Sequence, residues 1–395
     1  MFSTRVRDLK ESSTLKVNAL VNRMKQEGQT VFNLTAGEPD FPPPEEAKKA
    51  VVDAVARNLS KYTPTAGLME LRALIAAKTN RQQPALAASR PWTASGVVVS
   101  NGGKQAIFNA VFSLIDEGDE AVFGAPYWLS YPEMVKAAGG TSVVVPTSLE
   151  SGYLMTPAQL SAALTPRTKL VILNSPSNPT GAIYPRETLV ELGRVLESHP
   201  GVWILSDEIY DRIEFEKGTW CSFLDANPGL RDRTVTVNGL SKSGSMTGWR
   251  VGWSVAPGNL TSAIIALQGH STSGICALSQ AAAVASLGIP EEAFENQRLE
   301  YRNRRNLALE VLRKSAKIKV SEPAGAFYLF LECSAVMGSH RDANGLAEQI
   351  LEEARVAVVS GVDFGAPGSI RISFATDPAT LVEGCGRLVR FFDSR

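Results

Sequence analysis

Short β-rich runs recur through the first two thirds of this 395-residue chain, and helical segments separate several of them. They fall at Val97–Val99, Ala121–Phe123, Ser142–Val145, Leu170–Leu173, Val202–Leu205 and Thr234–Val237. Helical patterns cover Gln105–Ile115 and Pro185–Glu197, and Ala47, Val51, Ala54, Val55 and Leu59 recur at helical spacing. A strand without a polar face must be buried on both sides. The alternation therefore predicts an α/β fold, with a mostly parallel sheet covered by helices in a three-layer α/β/α domain.

The last third changes character. A long charged helix pattern spans Glu291–Lys314, and strand candidates follow at Ile318–Val320, Ala326–Leu331, Val356–Val359 and Ser369–Phe374. Further helices are expected at Gly345–Ala354 and Pro378–Phe392. These features predict a smaller α+β domain, with an N-terminal helix near Leu15–Glu27 packed on it. The expected division is residues 1–40, an N-terminal segment on the small domain, then a large domain over 41–290 and a small one over 291–395.

Balanced charge, with Lys+Arg 40 against Asp+Glu 40, argues against a nucleic-acid partner. No apolar run approaches the ~18 residues a membrane span needs. The N-terminus lacks the apolar core of a secretory signal. The four cysteines and three histidines are scattered without metal-ligand spacing. A cytoplasmic protein with reduced thiols and no bound metal is expected.

Ligands of parallel α/β sheets collect at the carboxyl ends of strands, and polar residues gather at those positions here. Lys242 follows the Thr234–Val237 run among Ser and Gly, in Gly239-Leu240-Ser241-Lys242-Ser243-Gly244, with Arg250 eight residues on. A lysine so placed suits Schiff-base chemistry; a plain loop lysine is the alternative. Gly102-Gly103-Lys104 opens a helix, where free N–H groups attract a phosphate, or forms an ordinary turn. Asp207 ends the Val202–Leu205 segment as a partner for a protonated ring nitrogen or as a helix cap, with Tyr210 close behind. Asn174-Ser175-Pro176-Ser177-Asn178-Pro179 forms a rigid polar loop in which a cis bond is possible. Trp128 stacks on a planar ring or packs in the core. Arg371, inside a strand pattern, binds a carboxylate ligand or a structural acid.

Together, from Ala36-Gly37-Glu38-Pro39-Asp40-Phe41 to Arg371, these motifs resemble the class I, fold-type I aminotransferases that use pyridoxal 5′-phosphate. The likeness is strongest to a bacterial aspartate aminotransferase subgroup carrying Gly-Gly-Lys and Pro-Tyr-Trp-x-x-Tyr-Pro-Glu. The resemblance implies that Lys242 forms the Schiff base and moves the proton. It also implies that Asp207 pairs with the ring nitrogen, and that Tyr210 and Asn178 bond the ring oxygen. Trp128 would stack on the ring. Ser241, Arg250 and the backbone at Gly103 and Lys104 would hold the phosphate. Tyr62 resembles the tyrosine that reaches the phosphate of a second subunit, which implies a homodimer with shared sites. Arg371, Asn178, Trp128 and the Gly37 backbone would bind the substrate α-carboxylate end. Lys104 would face the distal carboxylate of an acidic substrate, covered by Ser13 and Thr14, and Lys10 lies near a position tied to prephenate use. The lysine segment departs at Ser243-Gly244, and Gln268–Cys276 departs after its Ser-Thr-Ser, so side-chain preference is the open point.

The resemblance implies an aminotransferase that moves the amine of aspartate or glutamate to a 2-oxo acid such as 2-oxoglutarate in a ping-pong cycle. Aromatic or prephenate specificity, or a β-lyase on the same fold, are the alternatives. A transcriptional sensor domain is not expected, since the resemblance begins near Ser12 and leaves little room for a DNA-binding module.

Overall fold

A computed structural model of the chain describes residues 3, 7, 9, 13–338, 340 and 342–395; the side chains of 13–16 and 18 lie outside that description. Seven strands build the large sheet: β1 Val97–Asn101, β2 Glu120–Ala125, β3 Thr141–Pro146, β4 Thr168–Asn174, β5 Trp203–Asp207, β6 Thr234–Gly239 and β7 Val251–Val255. Their order is β1-β7-β6-β5-β4-β2-β3. The pairs from β6 through β5, β4 and β2 to β3 are parallel, while β7 runs against both β1 and β6. The sheet is thus mostly parallel, as the β-rich runs require.

Alternate side chains of each strand enter different cores. Val97 and Val99 join one cluster with Val171 and Leu173, and Val98 joins another with Leu170 and Ile172. Both faces are dry, and each fully buried aliphatic side chain contributes roughly 1.5–3 kcal/mol. Strand β3 lies at the sheet edge, where Val144 remains 40% exposed. No strand is expected at β7 from the sequence. Gly252 interrupts its apolar run, and glycine weakens the β signal.

A second, antiparallel sheet holds β8 Lys319–Val320, β9 Tyr328–Glu332, β10 Val359–Ser360 and β11 Ser369–Ser373, in the order β10-β11-β9-β8. The single strand expected at Val356–Val359 is two. Val356–Ala357 pairs in parallel with Phe32–Asn33, and Val359–Ser360 then turns to pair with β11. The helix expected at Gly345–Ala354 is Ala343–Gln349 followed by a π-helical turn over Ile350–Ala354. The C-terminal helix α4, Pro378–Asp393, starts where the Asp377 carboxylate accepts from the Thr380 amide, with Pro378 in its first turn.

Both ends of the chain meet here. Leu34 shares a core with Leu309 of the charged helix α3, Glu295–Leu312, and with Leu331, Ile372 and Leu388. Helix α1, Ser13–Gln26, packs Val21 and Met24 on Leu351 and Ala357. No helix among the described residues is long and apolar enough to cross a membrane.

Candidate active site

The carboxyl ends of β1, β4, β5 and β6 open into a cavity of about 700 Å³ that also takes residues from the N-terminal segment and from β9 and β11. Gly37, Gly103, Lys104, Trp128, Asn178, Asp207, Tyr210, Ser241, Lys242, Arg250 and Arg371 all line it. Residues up to 334 positions apart are gathered because short strands end together while their connections run elsewhere. Tyr62 is not among them; it is fully exposed, at 102%. Ser13 and Thr14 lie in α1 with side chains outside the described residues, and Lys10 is itself outside them.

Lys242 lies in the helical turn Leu240–Ser243 that follows β6 directly. Its half-buried amine donates to the Gly37 carbonyl. Burial lowers its pKa to about 8; the Glu38 charge opposes this, and Arg371, Arg250 and Lys104 add to it.

Asp207 ends β5 at 3% exposure and makes no ion pair among the described residues. One carboxylate oxygen accepts from the Tyr131 hydroxyl at 2.6 Å and the other from the Ile209 amide at 3.2 Å. Burial raises its pKa to about 6 against those two bonds and the Lys242 charge. An acid held that high by an apolar site still lacks an ion-pair partner at contact distance among the described residues.

Arg371 is the converse. It sits within β11 at 2% exposure with no carboxylate within ion-pair distance among the described residues. One terminal nitrogen donates to Asn178 Oδ1 at 2.9 Å, the other to the Thr35 carbonyl at 3.1 Å, and Nε is buried with no partner. A buried guanidinium with an unmet donor suits a planar anion. Asn178 is fixed in turn, since its backbone amide donates to Asn174 Oδ1 and the Asn174 side-chain amide donates to the Asp207 carbonyl. The peptide bonds before Pro176 and Pro179 in this loop are both cis, as is the one before Pro126.

At the other side, helix α2, Gly103–Leu114, begins on the glycine pair. Arg250 reaches the same place and donates to the carbonyls of Thr247 and Asn101 at 2.7 and 3.2 Å. Free N–H groups of a first helical turn beside a guanidinium form an anion site. The Lys104 ammonium lies 5.2 Å from the Trp128 ring centroid, and partial burial followed by the Arg250 charge pushes its pKa down.

Sequence reasoning missed three parts of the site. Tyr131 carries the hydrogen bond to Asp207; its signal was available as the second tyrosine of Pro126-Tyr127-Trp128-Leu129-Ser130-Tyr131. Asn174 orients the polar loop. Tyr328 bonds Tyr210 through its hydroxyl and lies under Arg371, and nothing in its apolar strand marks it.

The model of the family described as aminotransferase class I and II matches residues 29–388. An aspartate/prephenate aminotransferase of Cereibacter sphaeroides is 40% identical over 97% of this chain and 96% of its own. An aspartate aminotransferase of Geobacillus stearothermophilus is 40% identical over 99% and 98%. Among solved structures, the aspartate aminotransferase from Rhizobium meliloti superposes with a TM-score of 0.94 at 37% identity, covering 100% of this chain and 99% of that one. The Thermus thermophilus aspartate aminotransferase with maleate gives 0.92 at 39% identity, covering 99% of both.

Proposed function

The chain belongs to the class I and II aminotransferases and is an aminotransferase, and from that premise we propose that it moves the amine of aspartate or glutamate to a 2-oxo acid such as 2-oxoglutarate, with pyridoxal 5′-phosphate as cofactor. One observation carries the reading. A carboxylate buried without a cation, Asp207, and a cation buried without a carboxylate, Arg371, share one cavity with the lowered-pKa amine of Lys242. The residues fit the cofactor group by group. When bound, pyridoxal 5′-phosphate supplies a protonated ring that withdraws electrons from the substrate α-carbon.

Asp207 would keep the ring nitrogen protonated, itself held by the Tyr131 hydroxyl. Tyr210 and Asn178 would serve the ring oxygen, and Trp128 the ring face. The α2 amides at Gly103 and Lys104, with Ser241 and Arg250, would hold the phosphate. Lys242 would supply the amine that attaches the group and would serve as the base that moves the proton. Arg371, with Asn178 and the Gly37 backbone, orients the α-carboxylate, which fixes the bond to be broken. Lys104 faces the distal carboxylate of an acidic substrate.

We read residues 41–290 as the large domain and 291–395 as the small one, with 1–40 as an N-terminal segment belonging to the small domain. The exposed Tyr62 serves the phosphate site of a second copy, in a homodimer of the cytoplasm. The name of the Cereibacter relative supports prephenate as a further acceptor.

The test is a half-reaction screen. Protein reconstituted with pyridoxal 5′-phosphate is mixed with each amino acid, without acceptor, while the cofactor absorbance is followed. Aspartate and glutamate should convert it at the lowest concentrations, and 2-oxoglutarate or prephenate should restore it. Release of pyruvate and ammonia from a cysteine conjugate without any acceptor would instead mark a β-lyase.

A further inference from the structure

Tyr328 lines the cavity from β9 and is fully buried. Its hydroxyl lies 2.8 Å from that of Tyr210. Its ring centroid lies 4.4 Å from the Arg371 guanidinium carbon. We propose that Tyr328 is a positioning residue with two separable duties: its hydroxyl donates to Tyr210 so that the Tyr210 proton points at the ring oxygen, and its ring holds Arg371 in plane for the substrate α-carboxylate. This rests on the roles given above to Tyr210 and Arg371.

Each tyrosine has one proton, and either hydroxyl can donate in the bond they share. If Tyr210 donates to Tyr328, it has none left for the ring oxygen. If Tyr328 donates, the Tyr210 proton is free, and a bond to an anionic oxygen is roughly twice as strong as one between neutral hydroxyls. An anionic ring oxygen therefore selects the second arrangement, and the two bonds in series reinforce each other. At Arg371, hydrogen bonds fix only the two terminal nitrogens. The guanidinium carbon lies 5.1 Å from the Phe364 ring centroid as well, and the nearer Tyr328 face sets the remaining tilt and aims the unpartnered Nε.

Tyr328→Phe, Tyr328→Leu and Tyr210→Phe, each in the reconstituted enzyme, separate these duties. The readouts are the pH midpoint of the cofactor absorbance and the dissociation constant of maleate, a dicarboxylate with no amine to give. Losing the hydroxyl weakens the bond to the anionic ring oxygen, so protonation is favoured. Tyr328→Phe should raise the midpoint by about half a unit to one unit, in the direction of a larger shift in Tyr210→Phe. Its maleate binding should stay within about twofold, because the ring remains. Tyr328→Leu should show the same midpoint shift and bind maleate about tenfold more weakly. An unmoved midpoint in Tyr328→Phe, with Tyr210→Phe shifted, overturns the relay. A midpoint unmoved in both overturns the role of Tyr210 itself. Equal maleate binding by the Phe and Leu variants overturns the duty of the ring.

Discussion

Under the proposed function, Lys242 and Lys104 take two different roles from their surroundings. The Lys242 amine, lowered to about 8 by burial and neighbouring cations, is largely protonated at pH 7 and largely free base above pH 8. Only the free base attacks an aldehyde. The capture of pyridoxal 5′-phosphate by the cofactor-free protein, followed by absorbance in a stopped-flow mixer, should therefore speed up through pH 8 and level off above it. An unperturbed lysine would still be accelerating near pH 10. Under the proposed function Lys104 binds the distal carboxylate of the substrate. Lys104→Ser should lower kcat/KM for aspartate about tenfold or more beyond its effect on phenylalanine, in steady-state assays of both; equal losses would remove Lys104 as the selector. These two lysines were legible in the sequence because glycine and serine neighbours flag an unusual backbone. Tyr328 was not legible. Its side chain acquires meaning only where β9 brings it under an arginine of β11.

At the scale of elements, β7 decides more than its five residues suggest. It is inserted against the direction of the sheet between β1 and β6, and it braces the turn that opens α2. A Cβ on Gly252 would lie 2.2 Å from the Gly103 amide nitrogen and 2.3 Å from the Gly102 carbonyl carbon. Those are backbone atoms and cannot rotate away. Gly252→Ala should push the Gly102-Gly103 turn out of place and cost about 1–3 kcal/mol of stability. Cofactor retention, measured by equilibrium dialysis, should fall about tenfold, well beyond the change in thermal unfolding of the cofactor-free protein. The lysine segment contains Arg250 and a Val251-Gly252 step, but nothing in it says that the step is a strand. Pairing partners for β7 lie 13–19 residues upstream in β6 and 150–158 residues upstream in β1, and local sequence does not encode which strands flank it.

At the scale of the whole molecule, a run of large apolar side chains faces outward: Val52 at 68%, Val55 at 57%, Leu59 at 37%, Tyr62 at 102% and Met69 at 64% exposure. Under the proposed function these side chains meet a second copy, which lends Tyr62. Val55→Asp should halve the mass seen by sedimentation and weaken cofactor binding together; loss of neither would set the shared site aside. The candidate residues were readable without a fold: Lys242, Asp207, Asn178, Trp128 and Arg371 stand out in the sequence, and all five line one cavity. The alternation of buried strands and helices was readable too, since burial on both faces permits few residue types. What the sequence left open is who stands next to whom. The Tyr131 bond to Asp207, the Asn174 brace, the Tyr210–Tyr328 pair and the place of β7 arise from contacts between segments far apart in the chain. Hydrophobic patterning says that a residue is buried; only the packed structure says against what.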